Sequence, residues 1–263
     1  MCGRCTLHSI VKEIKERFKV EQAEILFQPS YNIYPSHPVL AVVKDEAGER
    51  QLKEFLWGLV PPWAPEPVEG MPNARAEGVD VKSSFRGAFR KRRCLVVADG
   101  FYEWRREGKT KTPFYIRLKT GKPFGFAGLY ETWRPRPESP LQREVQTYTI
   151  ITTEPNELMK PIHNRMPVIM PEKAEDLWLD PKIDNIPTLR SLLRPYPEGE
   201  MEVYEVSTLV NSPKNNTPEC IAPVGSVPKA QNEIFSLDTP ASRRASRERL
   251  NKIVREGREK ETP

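Results

Sequence analysis

Glycine-rich phosphate loops, internal repeats and long apolar runs are all missing from this chain of 263 residues. Without a Walker or dinucleotide-binding glycine pattern, nucleotide-cofactor chemistry of those two kinds has no foothold. No stretch approaches the roughly 20 apolar residues that a membrane-spanning helix needs. The first twenty residues lack the apolar core of a secretory signal and read instead as a polar amphipathic helix. The expectation is a cytoplasmic chain with no targeting signal and no membrane partner. Cysteine is scarce at 4 residues and histidine at 3. Four cysteines in such a chain do not make a disulfide framework. Glycine is low as well, 14 against 27 prolines, so turns and irregular connections are set mainly by fixed φ angles. Positive charge is thin where a body surface would need it. The net charge is +5, but residues 241–263 hold eight Lys/Arg and four Asp/Glu and so account for +4 of it. Any nucleic-acid surface has to come from local patterning.

What is present reads as many short strands with Pro-rich connections and a few scattered helices, an α+β pattern without regular strand–helix alternation. Ser9 is placed to cap a short helix carrying Ile10, Val11, Ile14 and Phe18 on one face. Residues 29–35 read as a rigid loop. Pro38–Val43 and Leu52–Leu59 read as strands, and the Pro-Pro-Trp-Ala-Pro run at 61–65 as irregular. Ser83–Arg93 reads as a basic helix and Cys94–Ala98 as a short apolar strand. Phe114–Lys119 and Phe124–Tyr130 look like a hairpin about Thr120-Gly121. Gln146–Thr152 and Met201–Val206 read as strands. Glu154–Met159, Glu172–Leu179 (with Pro171 at its start) and Pro187–Leu193 read as helices. The tail from about Ala241 reads as disordered or marginally helical.

Several residues stand out chemically. Cys2 follows the initiator methionine. Removal of Met1 would expose an α-amine with an ordinary pKa of about 8 beside a thiol of about 8.5, both near activation at neutral pH. Such an aminothiol traps an aldehyde: the amine condenses to an imine and the thiol closes a thiazolidine. Cys2 and Cys5 also form a CxxC, half of a zinc site or a redox pair, but no second pair and no thioredoxin-like context accompany it. Glu103 lies between Tyr102 and Trp104. Aromatic surroundings raise a carboxyl's pKa and suit it to moving protons near neutrality, whereas strand alternation alone could turn it to solvent. His163 sits in a loop between prolines, as an acid/base or as a packed turn residue. Asn73 and Arg75 lie two apart, residue types that orient a carbonyl and bind phosphate. Trp57, Trp63 and Trp104 could stack on bases, although Trp57 reads better as core. The run from Arg86 to Arg93 could line a backbone groove or be a solvated face.

Six motifs occur in order: MCGR at 1–4, WGLVPPW at 57–63, NARAE at 73–77, RRCLVVADGFYEW at 92–104, FAGLYE at 126–131 and IHNRMPV at 162–168. Over roughly residues 1–220 the chain resembles the SRAP (SOS-response-associated peptidase) family of abasic-site processing proteins. The resemblance implies a single domain over residues 1–238 with a barrel-like core of mixed, largely antiparallel strands, followed by a charged tail over 239–263. It implies a DNA-damage protein, monomeric and without metal or organic cofactor, that binds single-stranded DNA and cross-links to abasic sites. By the same resemblance Cys2 is the nucleophile that forms a thiazolidine, Asn73 orients it, Glu103 moves the α-amine proton, and His163 opens the sugar and assists β-elimination. Arg4, Arg75 and Arg165 would hold phosphates, and Pro35 and Trp63 would brace a kinked strand. Arg86 joins them as the head of the basic run. Met1 would be removed autoproteolytically, or else by a separate aminopeptidase. The same residues acting on peptide bonds in trans, as a thiol peptidase, and a non-covalent single-strand binder are the competing readings. One departure from the family pattern is Cys5, at a position usually aromatic or apolar.

Overall fold

The structure, a computed structural model, describes residues 2–21, 27–67, 70–137, 139 and 141–226. The expected charged tail at 239–263 lies outside the described residues. In chain order the strands are β1 (Cys5–Leu7), β2 (Ser30–Ile33), β3 (Pro38–Lys44), β4 (Arg50–Trp57), β5 (Asn73–Arg75), β6 (Arg93–Ala98), β7 (Gly100–Glu107), β8 (Thr110–Leu118), β9 (Phe124–Trp133), β10 (Val145–Thr153), β11 (Met166–Pro167) and β12 (Met201–Glu205). The α-helices are α1 (Val11–Phe18), α2 (Arg86–Lys91), α3 (Glu172–Leu179) and α4 (Ile186–Ser191).

Strands β10, β4, β3, β6 and β9 follow one another by hydrogen bonding, and β9 pairs back onto β10, which closes a five-stranded barrel. The β10–β4 contact is parallel and the other four are antiparallel, so the expected mixed, largely antiparallel barrel is what forms. Closure explains why these strands read as near-continuous apolar runs. All six residues of β6 are buried, and so are five consecutive residues of β3. A second sheet, ordered β12-β8-β7-β1-β2, lies beside it. Strand β5 joins the barrel alone, parallel to β10.

Two buried charges hold the helices on the barrel. Arg93, 3% exposed, sends five hydrogen bonds of 2.5–3.0 Å to the carbonyls of Phe89, Arg90, Trp178, Asp180 and Ile183. Those acceptors cluster at the C-terminal ends of α2 and α3, where helix dipoles favour a cation. Burial still lowers its pKa to about 10. Glu175 on α3, 1% exposed, is held by Arg17 of α1 at 2.7 Å and Arg50 of β4 at 3.0 Å.

The structure departs from the sequence expectations at definite places. Ser9 does not cap α1; its hydroxyl donates to Asp99, 90 residues away, at 2.6 Å, and Ile10 occupies the cap position. The stretch taken as loop at 29–35 contains β2. Arg93 belongs to a strand and not to the basic helix, which is only six residues long. Strands β8 and β9 do not pair: β8 pairs with β7 and β12, whereas β9, buried along most of its length, belongs to the barrel. The turn at Gly121 is real, with φ +67, but it carries the chain from one sheet to the other. Residues 154–159 form turns and no helix; the Asn156 side chain accepts from Met159 N–H and satisfies the backbone there.

Candidate active site in a cationic cleft

The residues singled out in sequence converge at the seam between the two sheets. Strand β1 runs antiparallel to β7 with Cys5 opposite Phe101, and Tyr102 N–H donates to the Arg4 carbonyl at 2.9 Å. Carrying that register back towards the start of the chain brings residues 2 and 3 alongside Glu103. The register requires β7 to begin at Gly100: a Cβ there would stand 2.3 Å from the Tyr115 hydroxyl oxygen, which bonds Thr6 at 2.8 Å.

Cys2 is fully buried. From the barrel side, β5 presents Asn73, whose Nδ2 donates to the Cys2 carbonyl at 2.8 Å. The Asn73 Oδ1 atom is buried and has no hydrogen-bond partner among the described residues. Burial, then the Cys5 thiol and the Glu103 carboxyl, push the Cys2 thiol well above the ordinary thiol range. Cys5, also fully buried, is raised by burial as well, and all four cysteines are free thiols. Glu103 is 4% exposed; burial raises its carboxyl above the ordinary value, and the His163 ring works in the opposite direction.

His163 comes from the loop after β10. The Arg165 backbone N–H donates to its Nδ1 at 3.0 Å. The same Nδ1 stands 3.1 Å from the Arg165 carbonyl oxygen, so the ring is held against the Arg165 backbone. Glu103 and His163 line a cleft of ≈ 480 Å³ together with Arg4, Trp104, Arg106, Lys111 and Asn211, and Cys2 and Asn73 are not among its lining residues.

The other singled-out residues are placed differently. Arg4 is half-buried between two rings, 5.4 Å from the Tyr34 centroid and 5.8 Å from that of Trp104. Its NH1 donates to Asn32 Oδ1 at 2.6 Å and to the Val210 carbonyl at 2.9 Å, which leaves its remaining donors for a ligand. Arg165 grips Glu77 through both terminal nitrogens, at 2.5 and 3.0 Å, and also reaches the Thr152 carbonyl. That grip holds the Glu77 carboxyl below its ordinary value. Arg75 is exposed at the end of β5, opposite Thr152 in register, and so stands on the same side as Arg165. Pro35 lies half-buried in the turn beside Tyr34, and Trp63 is 58% exposed. Arg86 heads α2, which packs on β6 and β9, and it does not line the cleft. Trp57 is core, 1% exposed. Among the described residues no group of three or more His, Cys, Asp or Glu is arranged to hold a metal ion, and no helix is long and apolar enough to cross a membrane.

Sequence reasoning passed over Asn32, Asn211, Arg106 and Lys111. Arg106 carried a legible signal, since it follows Trp104 by two residues and so shares its strand face. Asn32 and Asn211 carried none.

A buried carboxyl and a histidine thus share a cation-lined cleft, and the buried Cys2 thiol lies near enough to the Glu103 carboxyl to feel its charge. The chain matches the family model "SOS response associated peptidase (SRAP)" over residues 1–213, and it belongs to that family. It is similar to the abasic site processing protein YoqW of Bacillus subtilis, with 49% identity over 226 residues, 84% of this chain and 99% of that protein. It is also similar to the abasic site processing protein HMCES of Xenopus tropicalis, 34% identical over 75% of this chain and 67% of that one. A crystal structure from Bacteroides thetaiotaomicron superposes with a TM-score of 0.75 at 27% identity, covering 84% of this chain and 99% of the other.

Proposed function

We propose that the protein binds single-stranded DNA and forms a covalent thiazolidine between Cys2 and the aldehyde of an abasic site. The observation that carries the reading is the convergence on Cys2: Asn73 fixes its carbonyl at 2.8 Å, while Glu103 and His163 share the adjoining cleft with cations. The abasic sugar rests as a cyclic hemiacetal. His163 is suited to donate a proton to the ring oxygen as the aldehyde forms. Met1 is removed first, by the protein itself. The freed amine of Cys2 then attacks the aldehyde carbon, Glu103 accepts the amine proton, and water leaves from the carbinolamine to give an imine. The thiol sulfur adds to the imine carbon while its proton passes to the nitrogen, closing the five-membered ring. Net, one water is lost. The raised carboxyl suits this proton traffic, because burial makes it a better proton acceptor than an ordinary carboxylate. Proton abstraction next to the imine would convert the same site to a lyase.

A thiol peptidase acting in trans would draw on the same residues, but it needs a thiolate at neutral pH. Burial drives the Cys2 thiol the other way. Arg4, Arg106 and Lys111 against the single carboxylate Glu103 suit a polyanion better than a peptide. The test is a gel shift that survives denaturation, on an oligonucleotide with one abasic site. Wild type should give the shifted band, and Cys2→Ala, or a residue added before Cys2, should not. An adduct from either variant would sink the mechanism. Equal, fully salt-reversible binding of intact and abasic strands would favour a non-covalent binder, and DNA-independent turnover of a peptide would favour the peptidase.

A further inference from the structure

The outer part of the cleft carries charge that the proposed chemistry does not use. Beyond Glu103, β7 continues to Glu107, while its pairing with β1 ends at Phe101. Among the described residues no strand pairs with that edge of β7 beyond this point. The cleft wraps the open edge, which is how residues from both faces of β7 come to line it. Arg106 and Lys111 face each other in register across the β7–β8 hairpin.

Two like charges directly opposite on one sheet face destabilise a hairpin unless an anion sits between them. Here no protein anion does. Among the described residues neither side chain has an ion pair or hydrogen bond, and both residues are exposed. The contrast with the adjacent Arg105 is direct: its Nε meets Glu107 at 2.9 Å and its guanidinium lies 5.1 Å from the Phe114 ring. Trp104, two residues before Arg106 and on the same face, is fixed by its Nε1 donating to Asn211 Oδ1 at 2.7 Å. Between the reacting groups and the cation pair there is thus a rigid aromatic floor.

We infer that Arg106 and Lys111 form a phosphate-binding pair that holds the backbone of the nucleotide next to the abasic residue. The inference rests on the proposed binding of single-stranded DNA and adds to it a site for the flanking strand. Arg106 lies three residues along β7 from Glu103, about 10 Å at strand spacing, which reaches a neighbouring phosphate and not that of the damaged residue. Recognition is of backbone charge, so it is independent of base sequence.

The experiment measures binding of intact single-stranded oligonucleotide over a range of salt concentrations, with the double variant Arg106→Gln/Lys111→Gln beside wild type. Each phosphate neutralised on a single strand contributes about 0.7 to the slope of log K against log salt, so the double variant, which gives up one phosphate, should lose about 0.7. The affinity ratio of wild type to variant should accordingly shrink about twofold between about 50 and 150 mM salt. Lys12→Gln/Lys15→Gln on the outer face of α1 removes the same charge away from the cleft and should leave the slope unchanged. Thermal melting checks that both double variants fold. An unchanged slope in the cleft variant, or an equal loss in the α1 variant, overturns the phosphate pair. Wild type that binds but forms no covalent adduct overturns the proposed chemistry alone, because the slopes still decide the pair. Wild type that does not bind single strands overturns both.

Discussion

Replacing Asn73 with alanine tests how firmly the site is organised around Cys2. The Asn73 Nδ2 hydrogen bond to the Cys2 carbonyl is 2.8 Å long, and Cys2 is fully buried. Alanine deletes the donor without admitting a substitute, so a buried carbonyl is left unpaired. Leaving such a group unsatisfied costs about 1–3 kcal/mol. If that bond holds Cys2 in its reactive position, the same energy appears in the barrier to cross-linking. At about 1.4 kcal/mol per factor of ten, the rate should fall roughly 5- to 150-fold. The assay is single-turnover formation of the denaturation-resistant adduct with abasic oligonucleotide in excess, so that weaker binding does not mimic slower chemistry. Thermal unfolding of the same samples reports any separate loss of stability. A variant rate within twofold of wild type, at whatever stability, would refute the claim that Asn73 positions Cys2.

Further expectations follow from the buried charges and thiols. Glu103→Gln should abolish or severely slow the adduct yet stabilise the fold. The native Glu103 carboxyl is raised by burial, so its favourable contribution is full below the ordinary carboxylate pKa and is lost as pH rises through the raised value. The melting-temperature gain of Glu103→Gln should therefore be larger at pH 8 than at pH 4; a gain that does not depend on pH would contradict it. Cys5→Ala should retain adduct formation, since Cys5 carries no free α-amine with which to condense an aldehyde and close a thiazolidine, and native-state alkylation should leave the fully buried Cys5 unlabelled. Glu175→Ala strands Arg17 and Arg50 without their shared carboxylate and should cost about 3–5 kcal/mol in denaturant unfolding.

The inner barrel strands showed in the sequence as apolar runs because they are buried, whereas their closure into a barrel was expected from the family resemblance alone. Helix α3 was legible from its proline start and apolar spacing. What escaped were decisions taken at long range. Ser9 looks like a cap until Asp99 captures its hydroxyl. The Thr120-Gly121 turn looks like a hairpin, and nothing local shows that the next strand completes a barrel instead. The candidate residues Cys2, Asn73, Glu103 and His163 were singled out by residue type and family resemblance. The surroundings of the arginines were not, because Arg4 takes partners 28 and 206 residues away and Arg165 one 88 residues away. A sequence shows which cations exist; only the fold shows that Arg165 is gripped by Glu77 while Arg106 and Lys111 have no charged partner among the described residues.

The central claim is a covalent bond made by the freed amine and thiol of Cys2, and mass spectrometry of the cross-linked, digested protein tests it most directly. The account predicts an N-terminal peptide that begins at Cys2, lacks Met1, and is heavier by the abasic fragment less one water. A fragment attached to a lysine, or to a peptide that still carries Met1, would contradict it.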